Sequence, residues 1–219
     1  MSLPPQDASQ RTREICARAP IVPVLVIHDI AHARPLAEAL VAGGLPALEV
    51  TLWTPAALVA IREMAQVPGG AVGAGTLLTP DDVHAAVEAG ATFGVSPGAT
   101  EALIAACEEE DLPLLPGAAT ASEAMRLLER GYDMLKFFPA EAAGGIKMLK
   151  AIGGPYGDVK FIPTGGISPN NLQDYLAVPS VLACGGSWLV AKTLITNGEF
   201  EKITQLALEA VALVEEVRK

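Results

Sequence analysis

The chain has 219 residues, is 51% apolar and carries a formal net charge of −10. With only 18% charged residues and a mean hydropathy of +0.38, it can bury a large core, which excludes a disordered chain. The acidic balance, with no basic patch to neutralise phosphates, argues against nucleic-acid binding but leaves room for a local site that holds a small anion.

Residues 6–18 read as a short leading helix. The continuous apolar run Ile21–Ile27 reads as a strand buried on both faces. Ala31–Val41 has helical spacing of Ala and Leu and is stopped by Gly43-Gly44. Strand two is Ala47–Leu52, followed by a helix over Pro55–Val67 with proline in its first turn. Strand three is Ala71–Leu78, and Thr79-Pro80-Asp81-Asp82 caps the next helix, which Gly90 stops. Strand four is Thr92–Ser96, before helix Thr100–Glu109. Strand five is Leu112–Pro116, and Thr120-Ala121-Ser122-Glu123 has capping-box spacing. Strand six, Met134–Pro139, precedes helix Gly145–Ile152; strand seven, Lys160–Pro163, precedes helix Pro169–Leu176. Strand eight, Val181–Cys184, leads through a Gly-Gly turn to a closing helix over about residues 199–217.

Eight strands and eight helices in strict alternation imply right-handed parallel crossovers. Their number and length predict a (β/α)8 TIM barrel with a short N-terminal helix, a single domain over residues 1–219. A doubly wound sheet fits less well. The turn after strand one, His28-Asp29-Ile30, has no glycine, and Gly73-Ala74-Gly75-Thr76 lacks the third glycine of a dinucleotide fingerprint.

Cys16, Cys107 and Cys184 lie far apart with no Cys-x-x-Cys, which fits a reducing cytosol. Charged residues near the start (Asp7, Arg11, Arg13, Glu14) do not suit a signal peptide, and no apolar run reaches the roughly 18 residues of a membrane span. A cytoplasmic protein without membrane association is expected.

Lys136 is the first anomaly, a lysine inside the apolar run Met134-Leu135-Lys136-Phe137-Phe138-Pro139. Lysine is seldom buried without a partner or a purpose. Burial disfavours an ammonium, and a lysine so tuned is partly a free amine able to form a Schiff base with a carbonyl. A carboxylate partner or an outward-reaching side chain also fits this stretch alone. Glu49, in the apolar strand Ala47–Leu52, is the second anomaly. In a barrel, strands two and six can contribute to one interior layer. The two residues then form either a structural ion pair or an imine-forming lysine with its proton shuttle. Two glycine pairs follow strands seven and eight, in Thr164-Gly165-Gly166 and Gly185-Gly186-Ser187, where barrels often hold phosphate on backbone N–H groups. Metal chemistry is disfavoured: His28 and His32 straddle a turn with only Asp29 nearby, and His84 lies on a charged helix face.

These residues carry a family resemblance. Glu-Val-Thr-Leu at 49–52, Gly-Ala-Gly-Thr at 73–76, Val-Ser-Pro-Gly at 95–98, Lys-Phe-Phe-Pro-Ala-Glu at 136–141, Pro-Thr-Gly-Gly-Ile at 163–167 and Gly-Gly-Ser-Trp at 185–188 resemble the bacterial 2-keto-3-deoxy-6-phosphogluconate (KDPG) and 4-hydroxy-2-oxoglutarate aldolases. The resemblance covers nearly the whole chain in order. It implies a homotrimeric class I aldolase of the Entner–Doudoroff pathway, without metal or cofactor, that cleaves a phosphorylated 2-keto acid to pyruvate and glyceraldehyde 3-phosphate. It also implies roles: Lys136 for the Schiff base, Glu49 for proton transfer, Thr76 for the pyruvate carboxylate. Pro97 and Phe138 would line the pyruvyl end, and Gly165, Gly166, Gly186 and Ser187 the phosphate.

One position departs. The family generally has arginine, a substrate-anion contact, where this chain has Trp53. Tryptophan cannot supply arginine's charge-assisted hydrogen bonds. Reduced substrate affinity, a shift toward less charged or more apolar substrates, and a change introduced to alter specificity or build a contact surface all fit. Two further readings compete with the lyase: an isomerase or epimerase working by proton abstraction, and a catalytically weak scaffold kept for assembly.

Overall fold

The computed structural model describes residues 2–215. Helix α1 (Pro5–Cys16) leads into β1 (Ile21–Leu25), and a 3-10 turn at Ile30–His32 opens α2 (Ala33–Ala42). There follow β2 (Ala47–Thr51), α3 (Ala57–Met64), β3 (Ala71–Gly75), α4 (Pro80–Glu88), β4 (Phe93–Val95) and α5 (Glu101–Glu109). Next come β5 (Leu114–Leu115), β6 (Gly117–Ala118), α6 (Ala121–Arg130), β7 (Met134–Phe137) and α7 (Gly145–Gly153). The rest is β8 (Lys160–Pro163), α8 (Leu172–Leu176), β9 (Cys184–Gly186), α9 (Lys192–Thr196) and α10 (Phe200–Glu215). The expected sixth, seventh and eighth strands are therefore β7, β8 and β9. The last two residues expected in the closing helix lie outside the described residues.

Local chemistry explains the helix ends. Thr79 and Thr120 each accept from the backbone N–H three residues on, while Asp82 and Glu123 return the bond, so α4 and α6 start in capping boxes. Gly131 ends α6 at φ 108°, a left-handed conformation suited to glycine.

The strands do not form the closed eight-stranded barrel that the alternation predicts. They form a six-stranded parallel sheet, in the order β5-β4-β3-β2-β1-β9, and a three-stranded parallel sheet, β6-β7-β8. A proline stands at each seam. Pro116, expected to end the fifth strand, instead separates β5 from a further short strand, β6, and Pro163 ends β8, which meets the β9 region through the isolated bridges Phe161–Val181 and Thr164–Gly185. Proline has no N–H to donate, so a parallel ladder stops or thins there. The periodicity of apolar residues carries no trace of such a break.

Residues alternate between two environments along each strand. Val22, Ala47, Phe93, Val95, Leu115, Met134, Ile162 and Ala183 pack together between the sheets, while Leu48, Val50, Leu135 and Phe137 pack outward under the helices. Cys16, at the end of α1, joins the inner cluster and closes its lower end. Ser9 Oγ fastens that helix by accepting from Asp133 N at 3.0 Å and Met134 N at 3.4 Å. Phe93 fills the interior one level up. A Cβ on Gly73 would lie 2.5 Å from its ring, so the glycine makes room for it. Burying such a ring contributes about 2–3 kcal/mol.

Candidate active site

Lys136 and Glu49 sit above that floor, on opposite sheets. Lys136 shares the inward face of β7 with Met134; Glu49 shares that of β2 with Ala47. Lys136 Nζ donates to Glu49 Oε1 at 2.9 Å, with the residues 5% and 2% exposed. In register, Glu49 faces Val24 and Gly73, and Lys136 faces Gly117 and Ile162. A Cβ on Gly75 would lie 2.5 Å from Glu49 Oε1, so that glycine leaves the space the carboxylate occupies. Below, burial first and Glu49 second push the Cys16 thiol up to about 12, which keeps it protonated and inert.

The other residues singled out in the sequence cluster at the C-terminal ends of the strands, in two groups. In the first, the Phe138 ring centroid lies 5.4 Å from Lys136 Nζ. The Pro97 carbonyl abuts Gly117, where a Cβ would come within 2.2 Å of it, next to Lys136 in the sheet. Thr76 follows Gly75 and has φ 64°, a left-handed conformation rare for a β-branched residue. It stops β3 at Gly75 rather than Leu78, and strain of this kind gathers at functional sites.

The second group forms the rim beyond β8 and β9. Gly165 and Gly166 have φ 101° and 81°, and their N–H groups donate to no acceptor among the described residues. A Cβ on Gly166 would meet Glu141 Cγ at 2.6 Å, and Glu141 is itself held by the Tyr175 hydroxyl. Gly185 passes so close to Thr164 that a Cβ there would lie 2.2 Å from Thr164 Oγ1; Gly186 and the exposed Ser187 follow. Trp53 is 64% exposed and lines a cavity of about 410 Å³ with Ser187, in which neither Gly165 nor Gly166 takes part.

Sequence reasoning missed Lys192 and undervalued His28, both of which line that cavity. Lys192 opens α9, a short helix ahead of the expected closing helix, in a stretch to which the sequence pattern assigns no element. In the sequence, His28 stands out only as a candidate metal ligand. Among the described residues, no three His, Cys, Asp or Glu side chains converge into a set that could hold a metal ion. No described helix is long and apolar enough to cross a membrane.

The relatives agree on one chemistry. The chain is 52% identical over 198 residues to the KHG/KDPG aldolase of Escherichia coli K12, covering 90% of this chain and 93% of that one. It is 52% identical over 200 residues to the 2-dehydro-3-deoxy-phosphogluconate aldolase of Dickeya dadantii, covering 91% and 94%. A crystal structure of KDPG aldolase from Legionella pneumophila, with pyruvate captured at low pH as a covalent carbinolamine intermediate, superposes with a TM-score of 0.88. It is 47% identical, and the match covers 91% of this chain and 97% of that one. The family model for KDPG and KHG aldolase matches residues 12–206, from within α1 to within α10, and this chain belongs to that family.

Proposed function

We propose that this protein is a class I aldolase that cleaves KDPG to pyruvate and glyceraldehyde 3-phosphate through a Schiff base on Lys136, and 4-hydroxy-2-oxoglutarate to pyruvate and glyoxylate by the same route. One observation carries the reading: a primary amine and a carboxylate, both almost fully buried, meet at 2.9 Å at the mouth of the interior. Lys136 Nζ adds to the C2 carbonyl, and Glu49 relays the proton that the amine loses and the hydroxyl gains. Loss of water leaves the imine, an electron sink for the next step. Glu49 then takes the C4 hydroxyl proton, the C3–C4 bond breaks, and its electron pair forms the enamine as the aldehyde departs. Protonation of C3 and hydrolysis release pyruvate and restore the amine. The pyruvate carbinolamine in the Legionella relative supports the first step.

Thr76, with the backbone around Pro97 and the Phe138 ring, lines the pyruvyl end in this reading. Gly165, Gly166, Gly186 and Ser187 hold the phosphate, the unpartnered N–H groups of the first two being anion donors. Assembly as a homotrimer belongs to the same reading, and light scattering on the purified protein reads it. A cytoplasmic location accords with three buried cysteines that form no disulfide among the described residues. Borohydride reduction in the presence of pyruvate tests the chemistry: peptide mass mapping should place the adduct on Lys136, and Lys136→Arg should give none. An unmodified Lys136 peptide from active protein after that treatment would sink the proposal.

A further inference from the structure

The loop after β8 is fastened through three successive carbonyls. That of Thr164 accepts from Ala140 N at 2.8 Å, that of Gly165 from Glu141 N at 3.1 Å and that of Gly166 from Asn171 Nδ2 at 3.0 Å. In a planar trans peptide the N–H points opposite to the carbonyl of the same unit, so each anchored carbonyl fixes the N–H of the next residue. The N–H groups turned in this way belong to Gly165, Gly166 and Ile167, and none of the three has an acceptor among the described residues. Ile167 is a buried residue, and a buried backbone donor is seldom left unpaired.

Two of the three anchors are backbone groups in the turn after β7, and the third is a side chain. Asn171 stands at the cap position of α8, yet its side chain makes no capping bond to that helix. Instead Oδ1 accepts from Ser168 N at 2.8 Å and from Ser168 Oγ at 3.4 Å, while Nδ2 reaches the Gly166 carbonyl. A backbone N–H only donates and a carbonyl only accepts, so these partners assign both ends of the amide. Glycine at 165 and 166, with φ 101° and 81°, permits this backbone path but does not fix it, because glycine has other conformations open to it. An anchor from outside the pair has to select one.

We infer that Asn171 is a positioning residue for the anionic end of the substrate: by holding the Gly166 carbonyl it sets the 166–167 peptide, which makes the Ile167 N–H a third amide donor after those of Gly165 and Gly166. The inference rests on the reading of this loop as the phosphate holder and adds the side chain that orients it. Asn171 acts through the peptide rather than on the anion.

The test compares KDPG with 2-keto-3-deoxygluconate, which has the same carbon chain without the phosphate, in the wild-type protein, Asn171→Ala and Asn171→Asp. Asn171→Ala removes both contacts and should raise the ratio of the KM for KDPG to the KM for the nonphosphorylated aldol by about tenfold, the scale of one hydrogen bond to a charged group. Asn171→Asp keeps an acceptor for Ser168 N but has no N–H for Gly166, so the ratio should rise there too. A wild-type ratio in Asn171→Asp would place the effect in the turn at 168–171 and overturn the Gly166 anchor. Pyruvate methyl proton exchange involves no phosphate and should keep its wild-type rate in both variants. A fall in exchange equal to the loss with KDPG marks a general collapse of the site and overturns the positioning role. If the wild-type protein has the same KM for both aldols, the phosphate reading of the loop fails and takes the inference with it. A wild-type difference that survives unchanged in Asn171→Ala overturns the inference alone.

Discussion

Two buried carboxylates in this molecule meet a cation, and they are satisfied to different degrees. Glu108, on α5, receives Arg130 Nη2 at 2.7 Å and Nε at 3.2 Å, and the Tyr132 hydroxyl at 3.3 Å. Arg130 also reaches Glu101 at 2.9 Å. Both oxygens of Glu108 are occupied in a planar, two-pronged contact that ties α5 to α6. Burial, helped by Glu108, pushes the Tyr132 hydroxyl up, so that it stays a donor. Glu49, by contrast, has one hydrogen bond, to a lysine that makes no other. A buried group left short of partners costs free energy unless something else uses it. Saturation marks Glu108 as structural. The spare capacity of Glu49 and Lys136 is what the proposed imine chemistry would use.

The largest effect that separates the two contacts is kinetic. Glu49→Gln should leave imine formation with pyruvate possible but slow the exchange of its methyl protons for deuterium by about 10²–10⁴-fold, the usual contribution of a general acid–base group. Exchange at the wild-type rate would assign the base elsewhere and make the 2.9 Å contact another structural pair. A smaller effect is expected at the rim. Trp53→Arg adds a second cation to the cavity that Lys192 lines and should lower the KM for KDPG by roughly tenfold, with far less gain for an uncharged, apolar aldol. If neither substrate improves, residue 53 does not face the ligand. Smallest in turnover is Glu108→Gln. It should leave kcat unchanged while costing about 2 kcal/mol of stability, a value reduced because Arg130 is partly exposed, or roughly 4–8 °C in Tm. A matching fall in kcat would join the two contacts into one network.

Much of the architecture is legible in the order of residues. The capping boxes at Thr79 and Thr120, the stop at Gly131 and the apolar runs of β1 and β7 all act over a few neighbours. Glu49 and Lys136 stand out for the same reason: each is a charge in a run of apolar residues, and the rule against burying charge applies wherever the strand lies. The left-handed turn at Thr76 was not legible, because nothing in Gly-Ala-Gly-Thr-Leu-Leu requires the strand to end at Gly75. Nor was β9, expected at Val181–Cys184 but found at Cys184–Gly186. Its position follows its pairing with Ile21–Pro23, which is more than 160 residues away.

By itself, then, the sequence determined the alternation of strands and helices, the burial of the first strand on both faces and the two charges that stand out from an apolar core. Those follow from periodicity and from the cost of burying charge, both local. Only the tertiary structure decided that the strands part into two sheets at Pro116 and Pro163, that Lys136 and Glu49 meet across the space between those sheets, and that Lys192 shares a cavity with Trp53 and Ser187. Ladders, and the cavities between their ends, are set by pairings between segments far apart in the chain, and one missing N–H changes them without changing the apolar pattern.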